Sequence, residues 1–109
     1  MSDLASKKCI PCDSLTKPFD LTVAQAYLPN IPDWELSNDG KSISRRFKFK
    51  NFADSLAFIN KVGEIAEIEN HHPNIKFGWG YARVEISTHA IHGLSENDFI
   101  LAAKINSLI

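Results

Sequence analysis

At 109 residues, with 44% hydrophobic positions and a formal net charge of -1, the chain has material for one modest core and no excess charge to hold a polyanion. Its one basic cluster, Arg45, Arg46, Lys48 and Lys50, fits a solvated strand edge, which argues against a nucleic-acid partner. No apolar run approaches the roughly 20 residues a bilayer requires, and the opening Met-Ser-Asp-Leu lacks the apolar core of a signal peptide, so a cytoplasmic protein without a membrane partner is expected.

Residues 1–18 read as a flexible N-terminal extension, polar and without periodicity, ahead of a single domain over 19–109. Cys9 and Cys12 stand in it as Cys-x-x-Cys. That spacing suits a redox pair or half of a zinc site, but no second pair completes four ligands and no buried strand precedes it, so an incidental or local role is expected. Asp20 or Thr22 can cap a short helix with apolar Val23, Ala26, Tyr27 and Leu28, closed by Pro29 and Pro32. Trp34 and Leu36 open a strand, and Ser37-Asn38-Asp39-Gly40 is turn chemistry. The partner strand sets Ile43, Arg45, Phe47 and Phe49 on one face. From the cap Asn51 to Asn70 the pattern is helical, with Phe52, Leu56, Ile59, Gly63 and Ala66 as the predicted apolar stripe and Phe58, Val62 and Ile65 beside it.

From Asn74 the chain alternates, with Ile75, Phe77, Trp79 and Tyr81 on one face, and a second strand places Val84, Ile86 and Thr88 opposite Arg83, Glu85, Ser87 and His89. A reversal near Gly80 to Ala82 makes a hairpin whose open end brings Pro73 roughly level with His89. Ser95 and Asp98 then spell a capping box for a last helix through Phe99, Ile100, Ala103, Ile105 and Leu108. The order α-β-β-α-β-β-α with hairpin connections predicts an α+β fold of two layers, a four-stranded antiparallel sheet with helices packed on one face.

The chemistry concentrates in Glu67-Ile68-Glu69-Asn70-His71-His72-Pro73 and in Ser87-Thr88-His89, sixteen residues past the proline. Imidazoles titrate near neutrality and can exchange protons with a substrate. Glu67, four positions ahead of His71, is expected one turn back on the same helix face, where it orients that ring. Pro73 biases His72 toward extended backbone, so the adjacent rings diverge and suit metal chelation poorly. The hairpin then brings His89 to His71 and His72 in one cleft. Glu64 and Glu69 read as helix-surface carboxylates, His92 as a surface residue, Trp79 as core or pocket wall, and Asp98 as a capping acid able to reach a site histidine.

Glu-x-x-x-His-His-Pro, Trp79 six positions after the proline, Ser-Thr-His, Gly93-Leu94-Ser95-Glu96 and Asp98 nine positions past His89 together resemble the pterin-4a-carbinolamine dehydratase family. The likeness runs from about Leu21 to Ile109 and includes Trp34-Glu35-Leu36 and Arg46-Phe47-Lys48-Phe49. Trp79 stands where other members carry Tyr or Phe, and the cysteine-bearing N-terminus belongs to only some of them. The resemblance implies an enzyme, a hydro-lyase that dehydrates 4a-hydroxytetrahydrobiopterin to quinonoid dihydropterin and so recycles the pterin of aromatic amino-acid hydroxylases. It implies His71, His72, His89, Glu67 and Asp98 as catalytic residues, and His71, His72, Pro73, Thr88, His89, Ala90 and Ile91 against the pterin. It also implies a homodimer or homotetramer. Acid/base elimination needs no metal and no redox cofactor. Two competing readings are a metal hydrolase built on the histidines and a non-catalytic pterin-binding, dimerisation or co-activator protein.

Overall fold

The computed structural model describes residues 4–10 and 16–109. Asp20 caps α1 (Leu21–Tyr27), its Oδ1 accepting the Val23 N–H at 2.9 Å, and a 3-10 turn over Leu28–Asn30 follows. The expected apolar positions of α1 shift: Val23 and Ala26 face solvent, while Ala24 is buried and the Tyr27 ring packs between Phe19 and Phe99. Gly40, at positive φ, closes the turn between β1 (Glu35–Leu36) and β2 (Ile43–Lys48).

Asn51 caps α2 (Phe52–Glu69) through its side-chain oxygen, and α2 leads to β3 (Asn74–Gly78) and β4 (Tyr81–Ile86). All pairings are antiparallel and the sheet order is β1-β2-β4-β3, so α2 carries the chain from β2 over β4 to the edge strand β3. The sheet turns Ile43, Phe47, Ala82, Val84 and Ile86 toward α2 and toward α3 (Glu96–Asn106), whose Phe99, Ile100, Leu101 and Ile105 complete the core. The other face shows Arg46, Lys48, Lys76 and Arg83 to solvent. This is the two-layer α+β arrangement with helices on one face.

Three further sequence expectations change. The β3–β4 loop is Trp79 and Gly80, one residue earlier than expected, because Gly80 supplies the positive φ and Gly78 pairs with Tyr81. Trp79 is therefore a loop residue, 72% exposed, and neither core nor pocket wall. The buried stripe of α2 is Ser55, Phe58, Val62 and Ala66, leaving Phe52 and Leu56 exposed.

The third change is at the N-terminus. Residues 4–10, expected in a flexible extension, form a strap along α3. Leu4 enters the core at 5% exposure, Lys104 Nζ donates to the Ala5 carbonyl at 2.8 Å, and Lys7 pairs with Glu96 at 3.1 Å. One apolar anchor and several polar ties give no periodicity for a sequence pattern to reveal. Cys12 lies outside the described residues. No helix among the described residues is long and apolar enough to cross a membrane. Leu4→Ala is expected to lower stability by about 2 kcal/mol, the low end for a buried leucine, read as a shift in the urea midpoint. An unmoved midpoint would show that the strap adds nothing to the core.

Candidate active site

The site forms where α2 ends, β4 ends and α3 begins. Asn70 ends α2 in the left-handed conformation, φ 50° and ψ 41°, its N–H reaching Glu67 O while His71 N–H reaches Ala66 O at 3.2 Å. That reversal takes His71 off the helix face it would otherwise have shared with Glu67. The expected Glu67–His71 pair is thus replaced: Glu67 bonds His72 Nε2, and His71 turns inward to Asp98, 2.6 Å from its Nε2 to Oδ1. Asparagine is among the few side chains that tolerate left-handed backbone, and that was the available signal.

Asp98 is fully buried and every part of its carboxylate is used. Oδ2 accepts the Ser95 N–H at 2.8 Å, which closes the capping box of α3, and also the Thr88 hydroxyl at 2.8 Å. Oδ1 takes His71. With Oδ1 accepting, His71 donates from Nε2, which leaves Nδ1 as the ring nitrogen not bonded to Asp98. The pair is largely shielded, with the His71 side chain 13% exposed, whereas Glu67 and His72 are exposed at 77% and 54% and their attraction is screened by water.

A cavity of about 540 Å³, within the roughly 300–1,000 Å³ of small-molecule sites, adjoins this pair. His71, His72, Thr88, His89 and Ala90 line it. Thr88 holds the turn over His89–Ile91 in place, its N–H bonded to Gly93 O at 2.8 Å. Four of the expected residues do not line the cavity: Asp98 and Glu67 act behind histidines, Pro73 shapes the approach to β3, and Ile91 is buried at 6% in the interior. His92 is exposed, as expected.

Sequence reasoning missed Cys9, Ile10, Ile68, Glu69 and Asn97, which also line the cavity. Glu69 is not a surface carboxylate: its side chain is 6% exposed, covered by the strap, and its Oε1 accepts the Cys9 N–H at 2.8 Å. Burial, then the neighbouring Glu69, pushes the Cys9 thiol up from 9.0 to about 12, and its S–H reaches the Asn97 carbonyl at 3.5 Å. Among the described residues no three His, Cys, Asp or Glu side chains are grouped to hold a metal ion.

The pattern of sequence similarity follows the same chain segments. A model of the family described as pterin 4 alpha carbinolamine dehydratase matches residues 17–108. A curated protein of Halorhodospira halophila, named provisionally as a pterin-4-alpha-carbinolamine dehydratase, is 52% identical over 105 residues, 96% of each chain. A similarly named protein of Methylococcus capsulatus is 48% identical over 96% of this chain and 92% of its own. Among solved structures, one from Brucella melitensis titled transcriptional coactivator/pterin dehydratase superposes with TM-score 0.79 at 26% identity, covering 84% of this chain and 98% of that one. A second, titled a pterin dehydratase-like protein identified as a RuBisCO assembly factor in the alpha-carboxysome, gives 0.62 at 25% identity over 72% and 92% of the two chains.

The raised thiol carries a pH prediction. The folded state holds the Cys9 proton more tightly than the unfolded chain, so this contribution to stability is complete below pH 9.0 and is lost as pH rises through about 12. In a Cys12→Ser background, alkylation of Cys9 near pH 9 should be far slower in the folded protein than in urea, with the gap closing toward pH 12. Equal rates at the lower pH would contradict the docked strap.

Proposed function

The chain belongs to the pterin 4 alpha carbinolamine dehydratase family, and we propose that it is a cytoplasmic hydro-lyase that dehydrates 4a-hydroxytetrahydropterins, among them the tetrahydrobiopterin carbinolamine, to the quinonoid dihydropterin. The observation that carries this reading is His71, held in one tautomer by a buried carboxylate, beside His72 and His89 in one cavity. In the reaction the C4a hydroxyl leaves as water once protonated. The N5 proton is removed, and the N5–H electrons form the new N5=C4a double bond. Substrate and products balance with no oxidant, reductant or metal, so two imidazoles can supply the acid and the base.

His71 and His89 carry these proton transfers, and His72, steadied by Glu67, positions the ring and assists protonation. Asp98 fixes the His71 tautomer and stabilises its cationic form. The backbone of Thr88, His89 and Ala90 meets the edge of the pterin. This division gives unequal expectations. Replacing His71 or His89 by Ala should slow carbinolamine decay roughly 10²- to 10⁴-fold relative to the wild-type protein, measured above the uncatalysed background. Losing both should approach that background with less than additive effect. Asp98→Asn should cost a similar factor, because its amide offers His71 a donor where an acceptor stood, while Glu67→Ala costs much less. Folded variants lacking His71 and His89 that retain full activity would remove both imidazoles from the mechanism.

We also propose that the chain self-associates. The side of α2 not used by the core leaves Phe52 46% and Leu56 39% exposed, and Ile75 lies 37% exposed on the edge strand β3. Light scattering on a size-exclusion column should give a dimer or tetramer, and Leu56→Glu should reduce its mass. A wild-type monomer at tens of micromolar would refute this.

A further inference from the structure

The histidines account for one part of the cavity wall, and Cys9, Ile10, Ile68, Glu69 and Asn97 make another part that proton transfer does not use. The strap is fixed against it by directed bonds. Cys9 N–H donates to Glu69, Ile10 N–H donates to Asn97 Oδ1 at 2.9 Å, and Asn97 Nδ2 donates back to the Ile10 carbonyl. Asn97 is 4% exposed and the Glu69 side chain 6%, so two buried polar side chains hold the strap at the cavity rim.

On the dehydratase reading, the reacting atoms are C4a and N5 of the pterin. C6 is bonded to N5, so a substituent on C6 emerges beside the histidines and must lie against the adjoining wall. A cavity of about 540 Å³ holds a bicyclic ring with room for such a chain. Ile10 and Ile68 offer apolar contact to its carbons. Glu69 retains acceptor capacity beyond the bond from Cys9, enough for a hydroxyl. Among the described residues no Lys or Arg lines the cavity; Lys104, 3.8 Å from Glu69 Oε2, lines a separate groove with Ala5 and Leu108. A phosphate placed here would face a carboxylate whose paired cation, Lys104, opens onto that other groove.

We propose that Glu69, with Ile10 and Ile68, forms the subsite for a neutral, hydroxyl-bearing chain on C6 of the pterin and disfavours a phosphorylated one. The orientation of the ring rests on the dehydratase reading. The test uses the full chain with Glu69→Gln and Ile10→Ala, assayed on carbinolamines bearing a 6-methyl or a 6-dihydroxypropyl group. Glutamine keeps an acceptor for the Cys9 N–H, so the strap stays docked. Glu69→Gln should lower the ratio of kcat/KM for the dihydroxypropyl over the methyl substrate about tenfold, through KM, and Ile10→Ala should lower it several-fold.

A second arm measures binding of oxidised, unreactive pterins by fluorescence quenching, with a phosphorylated C6 chain included. Glu69→Gln should tighten the phosphorylated pterin while weakening the dihydroxypropyl one, a reversal of sign that loss of a merely structural contact would not produce. Proportional changes for every pterin would overturn the subsite. If no carbinolamine is accelerated yet Glu69→Gln reorders the affinities, the dehydratase reading fails and the subsite stands. If dehydration is accelerated and the order of preference does not move, the subsite fails alone.

Discussion

One carboxylate joins the fold to the chemistry. Asp98 closes the first turn of α3 through Oδ2, secures the end of β4 through the Thr88 hydroxyl, and orients His71 through Oδ1. A fully buried acid costs free energy unless its oxygens are hydrogen-bonded, and here three donors from three chain segments meet that need. The capping box would be worth about 1 kcal/mol by itself. Its larger consequence is that the helix cannot form in register without presenting the remaining oxygen where the end of α2 delivers an imidazole. Geometry at His71 is therefore as well determined as the start of α3.

The same two helix ends carry the strap. Glu69 is the last residue of α2 and Asn97 the second of α3, so the residues that receive Cys9 and Ile10 flank the His71–Asp98 pair in sequence. Docking of residues 4–10 braces the α2 end against the α3 start, and Lys104, reaching both Ala5 O and Glu69, ties the far side. A protonated Cys9 suits this position, since a thiolate beside Glu69 would repel it. The strap acts as packing and wall.

Much of this was legible in the sequence where the physics is local. Period-two alternation gave the buried Val84 and Ile86 of β4 and Thr88 just beyond it, helix caps gave the starts of α2 and α3, and the helical pattern gave the end of α2, each within a residue. The convergence of His71, His72 and His89 followed from hairpin geometry, and the cavity they share has that composition. The partner of Glu67 was not legible from spacing, because the four-residue rule holds only while the backbone stays helical and Asn70 leaves it. Nor was the choice between two overlapping apolar stripes on α2, which tertiary packing decides. The strap was beyond local reasoning altogether, since Leu4, Ala5 and Cys9 meet partners 60 or more residues away.

The division of labour between the two faces of the sheet follows from this wiring. The helix-covered face holds the core, and both helix ends that bear on the site emerge at one edge of that layer, beside the ends of β3 and β4. Proton-transfer groups need partial desolvation to hold a tautomer but must still reach a substrate that enters from water. The layer edge meets both demands: Asp98 lies on the core side at zero exposure, His71 is mostly covered, and His72 and His89 are exposed. A site set deeper among α2 and α3 would have cost each imidazole its hydration. One on the open face of the sheet would have left Asp98 in water, where its hold on His71 would be worth little.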